Sequence, residues 1–359
     1  MMAFNPYAIN QVFVESLTDN NEKKIFDISD LVSGIQYSTF LEGQPSKLTF
    51  TLQKDPSGKL SIHNGSKIQF RRDGKGIFLG YVFNMGTDAT ETYKITAYDQ
   101  MRYLKNEDTR LVANISVGDL FKKICDEFQL KNNKLVVPCN FVCPKKVYEG
   151  QTLFSILNDQ IQKANIDANK EGTSAKNRKY YFLRDNFGTL ELNEISQLKS
   201  DILLGEASLL SSYQYEISID KNTYNQIKLI KKYNDKDEKG KKIKGGEQHI
   251  VPYVVKDSGT QKVWGILQKV INVDENMNKG EITDLGKKYL KQMNRETRTL
   301  KLSALGVDGI TSGVGIKVDI PHLRTNKDGN TEFIDMWVVN ATHNYNKDMH
   351  TMELDVAIP

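Results

Sequence analysis

The C-terminal stretch from Phe333 to Pro359 constrains the fold more than any other part of the chain. Apolar and polar residues alternate in it on both sides of a predicted turn at Asn346-Lys347-Asp348. The apolar positions of one parity are Trp337, Val339 and Ala341 before the turn, and Met352, Leu354, Val356 and Ile358 after it. A period of two is typical of strands with one buried face. The stretch therefore predicts a terminal β-hairpin.

The first hundred residues show the same period in shorter segments. One face of residues 47–53 carries Leu48, Phe50 and Leu52, and further strands are predicted at residues 76–83 and 93–98. Turn-forming residues separate these segments at positions 55–58, 64–65 and 73–74. The pattern predicts a small antiparallel barrel or sandwich.

Helical periodicity follows after residue 110. Ser116, with Asp119 three residues later, predicts an N-cap, and a second helix is predicted to begin near Thr152. The apolar positions of the two helices are Val117, Leu120, Phe121, Ile124, Cys125 and Phe128, then Leu153, Phe154, Ile156, Leu157 and Ile161. Residues 180–184 and 189–194 flank a turn and predict a hairpin. This region therefore reads as an α+β insertion.

Strands are predicted again at residues 213–220 and 225–232, where Ile227 and Leu229 alternate with polar residues. The charged segment that begins at Asp235 resembles a calcium loop, but Lys239 and Gly246 occupy its fifth and twelfth positions, so a hairpin tip is favoured. A helix is predicted at residues 281–293, with strands at 297–304 and 315–320. The inward positions of that helix are Ile282, Leu285, Tyr289, Leu290 and Met293.

These patterns predict a mainly β chain of the α+β class in three domains. An N-terminal β domain covers residues 1–109, an α+β insertion covers 110–205, and a C-terminal β domain with one helix near 281–293 covers 206–359. A length of 359 residues suits two or three domains. No internal repeat is evident in the sequence.

Charge and hydropathy exclude several classes of partner. Lys+Arg 49 against Asp+Glu 45 leaves a net charge of only +4, spread along the chain, so nucleic-acid binding is not expected. Residues 1–6 lack the basic and apolar parts of a signal peptide, and no run of about eighteen apolar residues occurs. We expect synthesis and folding in the cytoplasm, without stable membrane insertion.

The three cysteines, Cys125, Cys139 and Cys143, argue against a disulfide framework because their number is odd and the chain is long. Cys139 and Cys143 have a C-x3-C spacing that could supply half of a zinc site, but no second ligand pair lies nearby in the sequence. Cys125 falls on a predicted apolar stripe, where a free thiol behaves as a small hydrophobe. Reduced, buried thiols are the expectation.

Motifs of hydrolases and transferases are absent from the sequence, including G-x-x-x-x-G-K, H-E-x-x-H and G-x-S-x-G. The lone G-x-G at Gly313 is typical of a turn that enters a strand. A cysteine peptidase could combine Cys125 or Cys143 with His249 or His343, and carboxylate pairs could serve a glycosidase, but no spacing favours either. The sequence predicts no enzyme, no cofactor, and no catalytic or metal-binding residue.

His343 and His350 bracket the terminal turn, with Asp348 at its tip. The three residues could form a metal site. The alternative is a polar rung on the exposed half of the hairpin, and the cross-strand pairing of the two histidines favours that interpretation.

The segment from Lys146 to Ile156 resembles the opening of a LysM module, which would bind peptidoglycan. The closing part of such a module is not evident after Asn165-Ile166. A turn glycine at Gly150 and a cap at Thr152 explain the same junction on physical grounds alone.

Three further segments carry a resemblance that spans nearly the full chain. They are residues 95–106 (ITAYDQMRYLKN), residues 149–154 (EGQTLF), and Trp337-Val338-Val339 leading to residues 350–354 (HTMEL). In their order and spacing they resemble the baseplate hub family of contractile phage tails and phage-tail-like (R-type) bacteriocins, related to late-control protein D.

The resemblance implies a homotrimer at the distal end of the tail tube, with the tube protein above it, the spike protein below it, and other baseplate components around it. It also implies two tube-like antiparallel β-barrel or sandwich domains per subunit, here the β regions before and after the insertion. The expected function is a structural baseplate hub, made in the bacterial cytoplasm and assembled into a tail. The alternatives are a tail-associated protein that binds or hydrolyses peptidoglycan, and the related spike of a type VI secretion system.

Overall fold

The computed structural model confirms a mainly β chain of the α+β class. It divides into two compact units, of which unit 1 comprises Met1–Gln214 and Leu300–Pro359, and unit 2 comprises Tyr215–Thr299. The predicted divisions after residues 109 and 205 stay predictions. The described residues are 8–17, 22–87, 89, 92–130, 133–169, 179–205, 208–235, 248–321, 325–327, 330–332, 334–347 and 349–357, with the backbone alone at 325–327 and 330–332.

Strands form in the N-terminal region wherever apolar and polar residues alternate. They are β1 (Asn10–Leu17), β2 (Lys23–Asp27), β3 (Val32–Phe40), β4 (Lys47–Leu52), β5 (Lys67–Arg72), β6 (Lys75–Thr87), β7 (Tyr93–Tyr98) and β8 (Glu107–Val112). The three strands predicted in this region are confirmed as β4, β6 and β7. Leu48, Phe50 and Leu52 face the core as predicted. Short 3-10 helices occupy Ser29–Leu31 and Gln100–Lys105.

The predicted helices of the insertion are confirmed, and so are their caps. The Asp119 backbone amide donates to Ser116 Oγ at 3.0 Å, and the Ser155 amide donates to Thr152 Oγ1 at 3.1 Å, so each cap satisfies one free amide of a first turn. The elements are α1 (Val117–Glu127), β9 (Asn133–Leu135), β10 (Lys146–Thr152), α2 (Leu153–Ala168), β11 (Tyr181–Asp185), β12 (Leu190–Glu194), a 3-10 helix (Ile195–Gln197) and β13 (Lys199–Gly205). The hairpin predicted after the second helix is β11 with β12.

The next strand is β14 (Leu210–Ser218). It begins in unit 1, and its residues from Tyr215 onward belong to unit 2. Unit 2 then contains β15 (Gln226–Asn234), β16 (Gln248–Lys256), α3 (Ser258–Trp264), β17 (Gln268–Val273) and α4 (Lys279–Met293). The helix α4 confirms the predicted helix, and its Ile282 packs against Ile227 and Leu229 of β15. The suspected calcium loop lies mostly outside the described residues. None of the described helices is long and apolar enough to cross a membrane.

The remaining strands belong mainly to unit 1. They are β18 (Thr297–Leu305), β19 (Gly315–Asp319), β20 (Thr325–Lys327), β21 (Asn330–Glu332), β22 (Ile334–Tyr345) and β23 (His350–Ala357). The terminal hairpin is confirmed as β22 with β23, and Met352, Leu354 and Val356 are buried as predicted. Ile358 and Asp348 lie outside the described residues.

The predicted buried face of β22 is wrong in its first half. Trp337 and Val339 are half-buried, whereas Met336 and Val338 are buried, and burial returns to the predicted parity at Ala341. A β-bulge between Val338 and Asn340 adds one residue to the strand and so exchanges its two faces. A period-two pattern read across a bulge assigns one half of the strand to the wrong face.

The strands form a sheet in the order β14-β18-β23-β22-β3-β4-β7-β6-β5-β1-β2, and β19 also pairs with β22. Two series of five strands have the same connectivity within this sheet. In the first series, β3 to β7, and in the second series, β14, β18, β19, β22 and β23, the spatial order is first, second, fifth, fourth, third. The two series meet where β22, the fourth strand of the second, pairs with β3, the first strand of the first.

The likeness of the two series extends to single residues. The fourth strand of each series carries a bulge opposite the fifth strand, between Val82 and Asn84 in β6 and between Val338 and Asn340 in β22. Before each bulge a glycine amide donates to the strand at 2.8 Å, from Gly65 to the Val82 carbonyl and from Gly313 to the Val338 carbonyl. Both glycines have positive φ, of 92° and 83°, which other residues rarely adopt.

Candidate functional site

The two histidines of the terminal hairpin are buried, so their predicted place on an exposed half is wrong. His343 on β22 is 1% exposed and His350 on β23 is 3% exposed. The reason is that β3 pairs with the second half of β22, which places this part of the hairpin in the interior of the sheet. Both rings share their buried face with Tyr345.

The hydrogen bonds of this cluster determine the tautomer of each ring. His343 Nε2 lies 2.7 Å from the Ile310 carbonyl oxygen, which can only accept, and His350 Nδ1 lies 2.6 Å from Arg72 Nη1, which can only donate. His343 Nδ1 and His350 Nε2 lie 2.9 Å apart. The arrangement is satisfied when both rings are neutral and protonated on Nε2, because His350 then donates to His343 and His343 donates to Ile310.

Arg72 connects this histidine pair to a carboxylate. Its Nη1 lies 3.2 Å from both carboxylate oxygens of Asp308, and its guanidinium stands over the Tyr345 ring at 5.6 Å. Arg72 is 5% exposed and Asp308 is 35% exposed. We call Arg72, Asp308, His343, Tyr345 and His350 the junction cluster. It ties β5 of the first series to the hairpin and the preceding loop of the second.

Burial and charge oppose protonation of both histidines. Burial lowers the pKa of His343, and burial together with the neighbouring His343 and Arg72 lowers the pKa of His350 to about 2. Burial, followed by the charge of Asp308, raises the pKa of Tyr345 well above its usual value. The cluster therefore holds one cation, Arg72, against one carboxylate, and its rings remain neutral at neutral pH.

Metal binding by the histidines would require one of these bonds to break, because every ring nitrogen of the pair already has a partner. Within the described part of the chain, no group of three or more His, Cys, Asp or Glu residues is placed to hold a metal ion. Asp348, the third member of the suspected trio, lies outside that part.

The cysteines are free and buried, as expected. Burial raises the pKa of Cys125 to about 12 and that of Cys139 and Cys143 to about 11. Because zinc and nucleophilic catalysis both require the thiolate, burial disfavours these roles for all three side chains.

Two neighbouring carboxyl groups, the buried Asp99 and the half-buried Asp185, were not predicted from the sequence. Asp99 caps the 3-10 helix that follows β7 and accepts from the Met101 amide at 3.0 Å, and Asp185 accepts from the Gly188 amide at 2.6 Å. Burial and mutual repulsion raise the pKa of Asp99, and burial raises that of Asp185 to about 6. The only sequence signal was a cap residue directly after a strand, which does not reveal that a second acid lies nearby.

The segment that resembles a LysM opening forms β10 and the first turn of α2. Three of its apolar residues, Tyr148, Leu153 and Ile156, are buried in the core of the insertion, whereas Val147 is exposed. Gly150 has a φ of 55°, and its amide donates to Thr109 Oγ1 at 3.0 Å, beside a bulge in the pairing with β8. The turn glycine and the cap therefore have local structural roles.

Among the described strands of the sheet, β2 pairs with β1 alone and β13 with β19 alone, and two further stretches of backbone are also open on one side. The strand β14 pairs with β18 alone, and residues 84–87 of β6 pair with β7 alone. Ile217 on β14 is 51% exposed. An open strand edge presents unpaired N–H and C=O groups that can bind another strand.

Comparison with known proteins identifies a family and a relative of this chain. The YQBQ-like family profile matches residues 35–357. The chain is 25% identical over 327 residues to the uncharacterized protein YqbQ of Bacillus subtilis (strain 168), a match that covers 89% of this chain and 91% of that protein.

Solved structures of tail proteins share the fold over nearly the whole length. The 43 kDa tail protein of prophage MuSo2 from Shewanella oneidensis is similar with a TM-score of 0.65 at 13% identity, covering 97% of this chain and 98% of that one. A tail protein from Neisseria meningitidis MC58 has a TM-score of 0.61 at 13% identity, covering 97% and 96%. Prophage tail protein gp18 from Listeria monocytogenes EGD-e has a TM-score of 0.54 at 13% identity, covering 96% and 94%.

Proposed function

Because the chain belongs to the YQBQ-like family and has the fold of prophage tail proteins, we propose that it is a structural baseplate hub of a contractile injection system. In this role it forms a homotrimer and joins the tail tube to the central spike. The role is assembly, and the chain is not an enzyme. The particle is an infectious phage tail or an R-type bacteriocin (tailocin).

The observation that carries the proposal is the pair of strand series with one connectivity in one sheet. Each copy presents two similar surfaces in succession, so a ring of three copies would present six. A sixfold tube could then be joined on one side, while the threefold symmetry of the ring would suit a trimeric spike on the other.

The junction cluster supports a role in transmitting force between the two series. It links β5 to the terminal hairpin through buried, charge-assisted hydrogen bonds, close to the β3–β22 ladder where the two series meet. A body that transmits force on sheath contraction must keep its two halves in register, and a continuous ladder with a buried cluster beside it resists slippage.

The expected partners are a tail tube protein, a spike protein and other baseplate components. Synthesis in the bacterial cytoplasm is followed by incorporation into the baseplate. Nucleic-acid binding and stable membrane insertion are not part of the proposed role.

The test is the place and the number of copies in a particle. The chain would be tagged in the bacterium that carries its gene, and tail-like particles would be purified by ultracentrifugation. We expect three copies per particle by quantitative mass spectrometry, with gold-labelled antibody at one end of the tube. Absence from the particles, or label along the whole tube, would contradict a hub.

A tail-associated protein that binds peptidoglycan or hydrolyses it is the alternative. The observation that favours it is the exposed bulge at Glu149, Gly150 and Gln151 within β10, in the segment that resembles LysM. Purified cell walls incubated with the chain separate the two functions. Saturable binding that is lost on replacement of these three residues would favour the alternative, and no saturable binding is expected of a hub.

A further inference from the structure

The pairing of β3 with β22 within one chain gives the geometry by which two other strands, β14 and β6, could pair. In this ladder Phe40 lies opposite Asn340 and Thr39 opposite Ala341, and the Leu41 amide donates to the Val339 carbonyl at 2.8 Å. It joins the first strand of one series to the fourth strand of the other.

The corresponding fourth strand of the first series is β6, and its register is given by the shared bulge. Asn84 follows the bulge in β6 as Asn340 does in β22, opposite Thr96 and Asp355 respectively. Residues 84–87 of β6 therefore correspond to residues 340–343 of β22. In β22 those residues are covered by β3, whereas in β6 no described strand occupies that side.

The corresponding first strand of the second series is β14, and backbone bonds give its register. The Gln53 amide, just after the second strand, donates to the Leu31 carbonyl at 2.8 Å, and the Leu305 amide, at the end of the second strand of the other series, donates to Leu209 at 3.0 Å. Leu209 thus corresponds to Leu31. β3 has a bulge between Ser33 and Gln36, and β14 shows the same two consecutive exposed residues at the matching place, Ser211 and Ser212 against Ser33 and Gly34. The residue count therefore carries through the bulge, and Ser218 is the counterpart of Phe40.

Residues of β14 are more exposed than the residues at matching positions of β3, because β14 has no strand on its second side among the described residues. Tyr37 of β3 is 5% exposed and Thr39 is 3% exposed. Their counterparts on β14 are Tyr215, which is half-buried, and Ile217, which is 51% exposed. The two tyrosines are identical residues at matching positions, yet the one on the open strand is less covered.

We infer that β14 of one copy pairs antiparallel with residues 84–87 of β6 in a second copy of this chain, in the register of the internal β3–β22 ladder. The inference rests on the proposed self-assembly and identifies the strands that perform it. The expected opposite pairs are Asn84 with Ser218, Met85 with Ile217, Gly86 with Glu216, and Thr87 with Tyr215.

The side chains suit this register. Met85 and Ile217 are apolar, and they would cover each other when they lie directly opposite. Gly86 lies opposite Glu216, and no atom lies within 4 Å of where its Cβ would stand, so the longer Glu216 side chain has room beside it. The contact would also pair the open N–H and C=O groups of both strands, so the sheet would continue from one copy into the next.

Disulfide formation between strands tests the register. Opposite Cα atoms in an antiparallel ladder lie about 4.5–5.5 Å apart, within the range of about 4.4–6.8 Å that a disulfide spans. The double variant Asn84→Cys/Ser218→Cys should form reducible covalent oligomers on mild oxidation, ending at three chains. The native cysteines are buried and should contribute little.

Two control variants accompany this one. Asn84→Cys/Ser212→Cys moves the second thiol six residues along β14, about 20 Å away, and should give no covalent oligomer. Phe40→Cys/Asn340→Cys places the same pair in the internal ladder and should close within one chain. The second control shows that this geometry permits a disulfide.

Sedimentation of the unmodified chain separates the two proposals. Self-association without selective linking of Asn84→Cys/Ser218→Cys would overturn the strand assignment and leave the trimer intact. A chain that stays monomeric at every concentration and gives no linkage would contradict both the trimer and the assignment. Selective linkage at the predicted pair supports both.

Discussion

The first strands of the two series, β3 and β14, have the same place in the same connectivity but different surroundings. β3 has a strand on each side, β4 and β22, whereas β14 has β18 alone among the described strands. Tyr37 on β3 is therefore buried and Tyr215 on β14 is half-buried. The difference teaches that the burial of a strand residue depends on its neighbouring strands as much as on its own alternation.

The largest expected effect is the loss of stability on replacing the tyrosine of the covered strand, compared with the tyrosine of the open strand. Tyr37→Ala should lower the free energy of unfolding by about 3–5 kcal/mol, because it removes a buried aromatic ring from the core. Tyr215→Ala, at the matching position, should cost about 1 kcal/mol or less in the isolated chain. Urea denaturation of the two variants measures both values, and equal losses would show that the two strands are equally covered.

The next largest effect concerns the junction cluster. This cluster stabilises the covered strand β22, and no similar cluster lies beside the open strand β14 among the described residues. Asp308→Ala should cost about 2 kcal/mol, because Arg72 then remains buried without this carboxylate and Asp308 is itself only partly buried. Asp201→Ala, at an exposed position of β13, is the matched control and should cost less than about 0.5 kcal/mol. A loss for Asp308→Ala no greater than for the control would mean that the cluster adds nothing to the junction.

The pH dependence of the same cluster should be smaller but distinctive. Both histidines have a lowered pKa when folded, so the unfolded chain takes up protons first, and stability falls as the pH drops below about 6.5. In His350→Gln the amide can still accept from Arg72 and donate to His343 without titrating. Between pH 6.5 and 5.5 the unmodified chain should lose about 1 kcal/mol more than this variant.

Subtracting the pH profile of His350→Gln from that of the unmodified chain isolates the contribution of His350. It removes the contribution of Asp99 and Asp185, whose raised pKa values give stability the opposite pH dependence. Asp185 has a pKa raised to about 6 when folded, so its contribution is present at low pH and is lost as the pH rises through that value. Parallel pH profiles for the unmodified chain and His350→Gln would show that His350 is not held neutral.

The smallest effect on folding is expected at the open edge. Ile217→Lys on β14 should change the free energy of unfolding by less than about 0.5 kcal/mol, because the side chain is exposed in the single copy. The same variant should weaken self-association by at least about tenfold if this strand is covered by another copy, since the charge would then be buried. Sedimentation velocity compares it with Lys24→Ala on β2, which should leave association unchanged.

Local signals in the sequence predicted the two helices and the hairpin of the insertion, but not its strands β9, β10 and β13. Ser116 and Thr152 were identified as caps, and the structure shows the expected bonds, because a cap depends on residues within one turn. The strands β4 and β7 and the helix α4 were also found by periodicity. The strand β22 was found, but its buried face was assigned wrongly before the bulge, since nothing in a period-two pattern marks one added residue.

Long-range features were not predictable in the same way. The burial of His343 and His350 depends on β3, some 300 residues away in the chain, and the proximity of Asp99 to Asp185 depends on the packing of the insertion. The two strand series show no sequence repeat, because many pairs of apolar residues satisfy the same alternation.

By itself the sequence determined the secondary structure, the mainly β class, the reduced thiols and a likeness to tail proteins. The first three depend on composition or on spacing within a few residues, whereas the likeness to tail proteins is a resemblance of segments spread along nearly the whole chain. Only the tertiary structure decided that the two series share one connectivity and that the terminal hairpin pairs with β3. It also decided that β3 has a neighbouring strand on each side, whereas β14 has one. The physical reason is that strand pairing joins backbone groups of any sequence, so its partners are set by the packing of the whole chain.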